Sequence, residues 1–295
     1  MKHVYLASGW FNENDDRILS EFERTLSRDD TFSVHRPRLD GIELKPGEFH
    51  NPKLRKKVFR CNVKNINAAD FLVANLTTGS APRLDTGTVW EVAYAHFSGK
   101  PVIIYNETEE TEPLSSRLGN LVYGKGFIIV STMEAFWSVF YMYLKADKED
   151  LKYSLLALKG LKKPTIFLPI QGTETYNVIM RSCLDILPQT MGISYVTNYL
   201  TGDLTSVTAS LINREFVLIP TETKDSILTY MMGVAYARKL PIITYSPTKD
   251  SINLMLICSV RAHAVGEDQL VTTLKKIVDS GVSSLKFDMS EFRVY

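Results

Sequence analysis

Several short runs in this chain are apolar at nearly every position: residues 71–76 (FLVANL), 101–105 (PVIIY), 216–220 (FVLIP) and 241–245 (PIITY). A strand with one wet face alternates apolar and polar side chains. Runs without that alternation are buried on both faces, which is the mark of a parallel sheet covered by helices. The segments between them read as helices. Residues 15–26 place Ile18, Leu19, Phe22 and Leu26 at helical spacing, and residues 52–68 do the same with Leu54, Val58, Cys61, Val63 and Ile66. Further strands are expected at 3–7, 32–36 and 126–130, and further helices at 88–97 and 132–145. The order is strand, helix, strand throughout, so the fold class is α/β.

The second part of the chain repeats this plan. Strands are expected at 165–170, 194–198, 216–220 and 241–245, and helices at 175–187, 204–213 and 226–238. Two segments correspond in wording as well as in type. DFLVANL at 70–76 answers EFVLIPT at 215–221, and VAYAHFSGKPVIIY at 92–105 answers VAYARKLPIITY at 234–245. The period is far longer than that of a solenoid repeat, so an internal duplication of a whole domain is expected. Residues 146–163, rich in Lys with Leu at 151, 155, 158 and 161, read as a linking helix. The expected architecture is two tandem flavodoxin-like or Rossmann-like three-layer domains with parallel sheets.

The 295 residues carry 34 Lys+Arg against 33 Asp+Glu, a net charge of +1. That balance argues against a general nucleic-acid coat. Hydrophobic residues at 45% and charged residues at 23% are globular values and exclude a long disordered protein. No apolar run approaches the roughly 18 residues of a membrane span. The N-terminal stretch turns acidic within a dozen residues, unlike a signal peptide. Cys61, Cys183 and Cys258 stand alone, without a C-x-x-C pair, so neither a disulfide framework nor a structural zinc site is expected. A reducing cytoplasm follows as the expected setting.

Chemistry is expected at residues 77–88 (TTGSAPRLDTGT), between a buried strand and a helix. This is the carboxyl end of a parallel sheet, where open α/β folds bind ligands. Asp85 lies there, Gly87 permits a tight turn, and Glu91 falls in the first turn of the next helix, where the helix dipole favours an ionised carboxylate. A plainer reading stands beside it: Asp85 caps the helix and Glu91 is a surface charge that complements the dipole. The first strand ends in Tyr5 followed by LASGWF, with Gly9 beside Trp10 and Phe11. These are either a stacking platform for a planar ligand or core aromatics under a loop. Tyr5 points to the same sheet end as Glu91.

Together, YLASGWF at 5–11 and DTGTVWE at 85–91, the latter followed by a small-aromatic-Ala run, resemble the nucleoside 2-deoxyribosyltransferase family over most of residues 1–145. Ile252-Asn-Leu-Met255 resembles the family segment that reaches a neighbouring subunit's active site, and residues 287–295 (FDMSEFRVY) resemble its C-terminal tail. The resemblance implies that Glu91 is the nucleophile, Asp85 holds the sugar and assists proton transfer, and Tyr5 orients Glu91. It also implies that Trp10 and Phe11 border base and sugar, and that Asn253, Met255 and the Tyr295 carboxylate complete the site. Asn62 stands where many members carry a base-reading aspartate, and an amide cannot deliver a proton. Asp40 is a further base-binding candidate. The implied substrates are 2'-deoxynucleosides and free nucleobases, as in nucleoside salvage, with no metal or organic cofactor.

Aligning the strands that begin at Pro101 and Pro241 puts Met231 at the place of Glu91 and Asp225 at that of Asp85. Phe167 takes the place of Tyr5, and Gln171-Gly172-Thr173 that of the aromatic pair. The first half in turn has Pro113-Leu-Ser-Ser-Arg117 where the Asn-Leu-Met segment belongs. The expected organisation is a catalytic domain at 1–146, a linker at 147–163 and a degenerate domain at 164–295, folded as a pseudo-dimer with one working site. By the family's pattern the chain would form trimers. Two other functions compete: a nucleoside 5'-monophosphate N-glycosidase, with Ser115, Ser116 and Arg117 as phosphate ligands, and a nucleoside sensor without catalysis. Nucleic-acid binding through the basic run at 53–60 (KLRKKVFR) is set aside in favour of a solvated helix face.

Overall fold

The computed structural model describes residues 1–10, 13–28, 31–45, 47–77, 84–107, 127–151, 165–170, 174–188, 191–197, 211, 214–221, 226–249 and 252–289. They form two five-stranded sheets, parallel throughout. The first contains β1 (Lys2–Ala7), β2 (Phe32–His35), β3 (Phe71–Asn75), β4 (Val102–Tyr105) and β5 (Phe127–Val130), in the order β2-β1-β3-β4-β5. The second contains β6 (Thr165–Ile170), β7 (Gly192–Thr197), β8 (Phe216–Pro220), β9 (Ile242–Ser246) and β10 (Ala262–Val265), in the order β10-β9-β8-β6-β7. Counted from its own first strand, each sheet has the order 2-1-3-4-5 of flavodoxin-like folds.

The apolar runs are buried on both faces, and the period of two decides which core each side chain enters. In β1, Val4 and Leu6 join Ile18, Leu19, Phe22 and Leu26 of helix Glu13–Leu26 on the outer face. Tyr5 and Ala7 point the other way, into a core that also holds Val217, Ile219 and Met231 of the second half. That core contains most of helices Thr86–Phe97 and Ser226–Ala237. A separate outer core lies under the second sheet, with Phe216, Leu218, Ile243 and Tyr245 facing Ile179, Leu270 and Leu274. The two sheets therefore share one hydrophobic interior, and helix Thr86–Phe97 is buried along almost its whole length inside it.

The two central helices touch at the backbone. A Cβ added to Gly233 would stand 2.6 Å from the carbonyl oxygen of Trp90 and 2.7 Å from Cβ of Ala93. Around this contact Trp90, Tyr94, Tyr236 and Phe59 pack ring against ring, with centroids 5.1–5.6 Å apart. The helices also end alike. Ser98 N bonds Tyr94 O and Lys100 N bonds Ala95 O, just as Arg238 N bonds Val234 O and Leu240 N bonds Ala235 O. Gly99 has a φ of 82° and Lys239, at the matching place, a φ of 58°. This sets Ala95 against Ala235, so the two VAYA runs are two residues out of step with the backbone. The alignment through the Pro101 and Pro241 strands, which sets Met231 opposite Glu91, is the one the helix ends follow.

The elements expected from the sequence stop at the strand 241–245, but the fold continues with helix Leu254–Ser259, β10 and helix Gly266–Ser280. β10 (AHAV) was obscured by His263 in a short, alanine-rich run. His263 is buried and takes up Thr244 Oγ1 at 2.8 Å and Ser246 Oγ at 3.2 Å, while burial pushes its pKa down to about 4. Of the expected linking helix, Lys148–Leu151 is present, tied to the first sheet by Lys148 Nζ on Asp70 Oδ1 at 3.1 Å. Residues 152–163 and the expected helix at 204–213 lie, but for Leu211, outside the described residues.

The backbone contact at Gly233 is directly testable. Gly233→Ala should destabilise the chain by about 1–3 kcal/mol, because the added methyl has only helix backbone to displace. Urea unfolding at an unchanged slope would measure it.

Candidate active site

β1 and β3 are the strands between which the chain reverses its direction of winding, and their carboxyl ends are the expected place for a ligand. Ser8, Gly9 and Trp10 follow β1 there. Asp85 N-caps helix Thr86–Phe97: its Oδ2 accepts from Thr88 N and from Thr88 Oγ1, both at 2.7 Å. Oδ1 takes no such bond among the described residues. Two glycines let the backbone come close. A Cβ on Gly9 would lie 3.1 Å from Cβ of Asp85, and one on Gly87 would lie 3.2 Å from Asp85 Oδ2 and 3.4 Å from Asn253 Nδ2.

Glu91 sits in the second turn of this helix, not the first, because the helix starts at Thr86. The dipole therefore does not govern its charge. Burial pushes its pKa up to about 8. The hydrogen bond from Tyr5 pulls it down, the charge of Asp85 adds to the rise, and the bond from Asn62 again pulls it down. Tyr5 OH donates to Glu91 Oε1 at 2.7 Å and Asn62 Nδ2 donates to the same oxygen at 3.2 Å. Burial, and then the neighbouring carboxylate, hold the Tyr5 hydroxyl well above its usual range. His35 stacks on the Tyr5 ring at 5.5 Å.

Asn62, Asp85, Gly87 and Glu91 line a cavity of about 420 Å³, within the size range of small-molecule sites. One wall holds Ser8, Trp10, Asp85, Thr88 and Glu91. Ile42, Leu44, Phe49 and Val58 form an apolar wall opposite, and Asn253, Leu254 and Met255 of the second half close a third side. Asn253 caps its own helix through Oδ1, which accepts from Met255 N at 2.8 Å. Met255 Sδ lies 3.8 Å from Asn62 Nδ2. Trp10, 42% exposed, stands at the cavity's edge.

Of the residues singled out in the sequence, Tyr5, Trp10, Asn62, Asp85, Gly87, Glu91, Asn253 and Met255 meet at this cavity or in direct contact with its lining, and Gly9 packs against Asp85. Asp40 does not line it; it is held by Arg36 at 2.8 Å, which keeps its carboxyl below the usual range. Phe11, Ser115, Ser116, Arg117, Gln171, Gly172, Thr173, Asp225 and Tyr295 lie outside the described residues. Met231, opposite Glu91 in the repeat, is buried in the shared core. Among the described residues no three His, Cys, Asp or Glu are grouped to hold a metal ion, and no helix is long and apolar enough to cross a membrane.

The apolar wall and its anchor escaped sequence reasoning. The basic run at 53–60 is solvated only in part: Lys53, Lys56, Lys57 and Arg60 are exposed, but Arg55 is 0% exposed. Arg55 lies on the buried face of helix Pro52–Ala68 with Phe59, Asn62 and Ile66. Its Nε donates to Phe49 O and its Nη1 to Met289 O at 2.9 Å, so it joins the apolar wall to the second half. The i, i+4, i+7 spacing of Arg55, Phe59 and Asn62 carried the signal, masked by the surrounding lysines.

A sheet of this order, with a buried carboxylate beside a cavity at its switch point, has its opening where open α/β proteins take up small molecules. The sequence model of the family described as nucleoside 2-deoxyribosyltransferase matches residues 4–136 of this chain. Two solved structures are similar. A 2-deoxyribosyltransferase from the psychrotolerant bacterium Bacillus psychrosaccharolyticus is 26% identical, covering 51% of this chain and 96% of its own, with a TM-score of 0.37. One from Leishmania mexicana is 21% identical, covering 48% of this chain and 98% of its own, with a TM-score of 0.34. No curated protein matches the chain.

The raised pKa of Glu91 has a consequence for stability. The folded state keeps the proton up to about 8 and the unfolded chain releases it near 4.5. Stability from this group is thus full below about 4.5 and is lost as the pH rises through about 8. Glu91→Gln should remove that loss, making the variant more stable than the wild type at pH 9 by roughly 3–5 kcal/mol but not at pH 4. Denaturant unfolding of both proteins at the two pH values measures the difference.

Proposed function

We propose that the chain is a nucleoside 2-deoxyribosyltransferase that exchanges the base of a 2'-deoxynucleoside through a covalent deoxyribosyl ester on Glu91. The observation that supports this most is the asymmetry of the Glu91 carboxylate. Both donors, Tyr5 OH and Asn62 Nδ2, hold Oε1. Oε2 has no partner among the described residues, and Glu91 lines the cavity.

In this reading Glu91, once its proton has passed to solvent, attacks the anomeric carbon through Oε2 as the N-glycosidic bond breaks, through an oxocarbenium-like state as in retaining glycosidases. The bond's electron pair leaves with the base, which takes its proton from Asp85 or from water. A second base then attacks the same carbon, gives up its N–H proton to the group that protonated the first base, breaks the ester and restores both the configuration and the free carboxylate. Asp85 is placed to hold the sugar through Oδ1, since Thr88 occupies Oδ2. The low-dielectric setting that keeps Glu91 protonated when the pocket is empty also strengthens its attraction to the cationic sugar. Arg38 lines the cavity but is already paired with Asp16 and Glu23, which disfavours a 5'-phosphate as its partner.

The chain is further read as a pseudo-dimer: a catalytic domain at 1–146, a linker at 147–163 and a degenerate domain at 164–295 that completes the site. Two sheets of one order, matched helix ends, and Asn253 and Met255 at the cavity support this. A Met at the nucleophile's place, residue 231, leaves one working site per chain.

A chromatographic assay with a deoxynucleoside panel, with and without an acceptor base, tests the reaction. A new deoxynucleoside should appear only with acceptor present, and Glu91→Ala should lower its rate by at least about 10³-fold. Release of free base without acceptor, especially from 5'-monophosphates, would point to a hydrolase, and binding without turnover to a sensor. The completing role of the second half predicts that removing the residue after Val294 cripples turnover while leaving the thermal midpoint unchanged. Full activity of that truncation would contradict it.

A further inference from the structure

We infer that Asn62 is a positioning residue for Glu91, through which the second half of the chain acts on the reacting carboxylate. This rests on the reading of Glu91 as nucleophile, and it departs from the base-reading place that the resemblance gives to position 62. Asn62 is buried on helix Pro52–Ala68, and its Nδ2 has two neighbours: Glu91 Oε1 at 3.2 Å and Met255 Sδ at 3.8 Å. Both are acceptors, so the amide nitrogen faces two groups of the protein itself. A primary amide has two N–H donors, and here one is committed to the carboxylate while the other faces the thioether.

Three consequences follow from the geometry. First, the bonds from Asn62 and Tyr5 converge on one oxygen, so they fix the carboxylate's rotation and leave Oε2 as the free nucleophilic atom. Second, hydrogen bonds to the charged form favour ionisation, against the burial and the Asp85 charge that oppose it. An aspartate at 62 would do the reverse, placing another negative charge against Glu91. With Asp85 already near, the amide is the group this position can hold without driving Glu91 further toward its neutral form. Third, Met255 belongs to the second half, and it reaches the carboxylate by way of Asn62. Met255 is itself fixed by the Asn253 cap, so the packing of helix Leu254–Ser259 bears on the amide's orientation.

The test is a titration, because a base reader or a purely structural residue would leave the ionisation of Glu91 unmoved. Infrared titration of the buried carboxyl, with Glu91→Gln as the blank, gives its midpoint whether or not any substrate turns over. Asn62→Leu should raise the midpoint by about one pH unit, the size of one lost charge-assisted hydrogen bond, and Asn62→Asp by more. Met255→Leu, which leaves the amide without its second neighbour, should raise it less. In the transfer assay the alkaline-rising limb of kcat/KM should move with the midpoint. Activity near pH 7 should then fall roughly tenfold in Asn62→Leu, by the same factor for every base. An unmoved midpoint, or a loss that differs widely between bases, overturns the proposal. If no substrate turns over in the wild type, the transferase reading fails while the carboxyl titration still decides the role of Asn62.

Discussion

Helix Thr86–Phe97 has no solvent face because another helix lies against its backbone. Gly233 is the residue that allows this: its missing side chain leaves room for the Trp90 carbonyl. Everything at the site depends on that burial. A carboxylate on an ordinary flavodoxin-type helix would be half wet and ionised. Here, the shared core removes water from Glu91, and its pKa climbs to about 8. The same packing carries helix Leu254–Ser259 to the cavity, so Asn253 and Met255 arrive beside a carboxylate encoded more than 160 residues earlier.

Burial and donation work against each other at Glu91. Full desolvation without donors would keep the carboxyl neutral at any working pH. Two donors on one oxygen recover part of the cost of ionisation and, because they share Oε1, also set the direction of the other oxygen. A stacked His35 behind Tyr5 and a buried Arg55 behind the Phe49 wall hold the surrounding parts in place. Arg55 links two segments far apart in the chain through backbone carbonyls, whose positions do not change with the residue that carries them.

Where burial followed from local pattern, the fold was legible in the sequence. FLVANL, PVIIY and FVLIP could only be two-sided strands, and they are β3, β4 and β8, while the spacing of Ile18, Leu19, Phe22 and Leu26 marked a helix that buries those four residues. The last strand was not legible, because AHAV depends on His263 finding Thr244 and Ser246 across the sheet, which is tertiary information. The VAYA match misled by two residues, since the two runs lie at different positions along helices whose ends and following turns coincide. At the site, Tyr5, Asp85 and Glu91 were readable as polar groups at one end of a parallel sheet. The donor role of Asn62 and the buried state of Arg55 were not, because each depends on what faces it from another element.

The turns that follow the two central helices share a shape but not a residue. At the matching place in the first half stands Gly99, whose φ of 82° costs nothing without a Cβ. Lys239 keeps the left-handed turn at 58°, with the strain of a side chain there. The two turns have one backbone shape, but only the first has the residue best suited to it. The two halves differ again about two helix turns upstream, where Met231 takes the buried place of Glu91 without a carboxylate. The second half carries no carboxylate at that place, but its surface bears on the surroundings of the one in the first half. The contacts that meet this description are Gly233 on Trp90 and Met255 on Asn62. One seals the interior around Glu91 and the other faces the amide that holds it, so the second half influences the carboxylate by desolvation and by orientation at once.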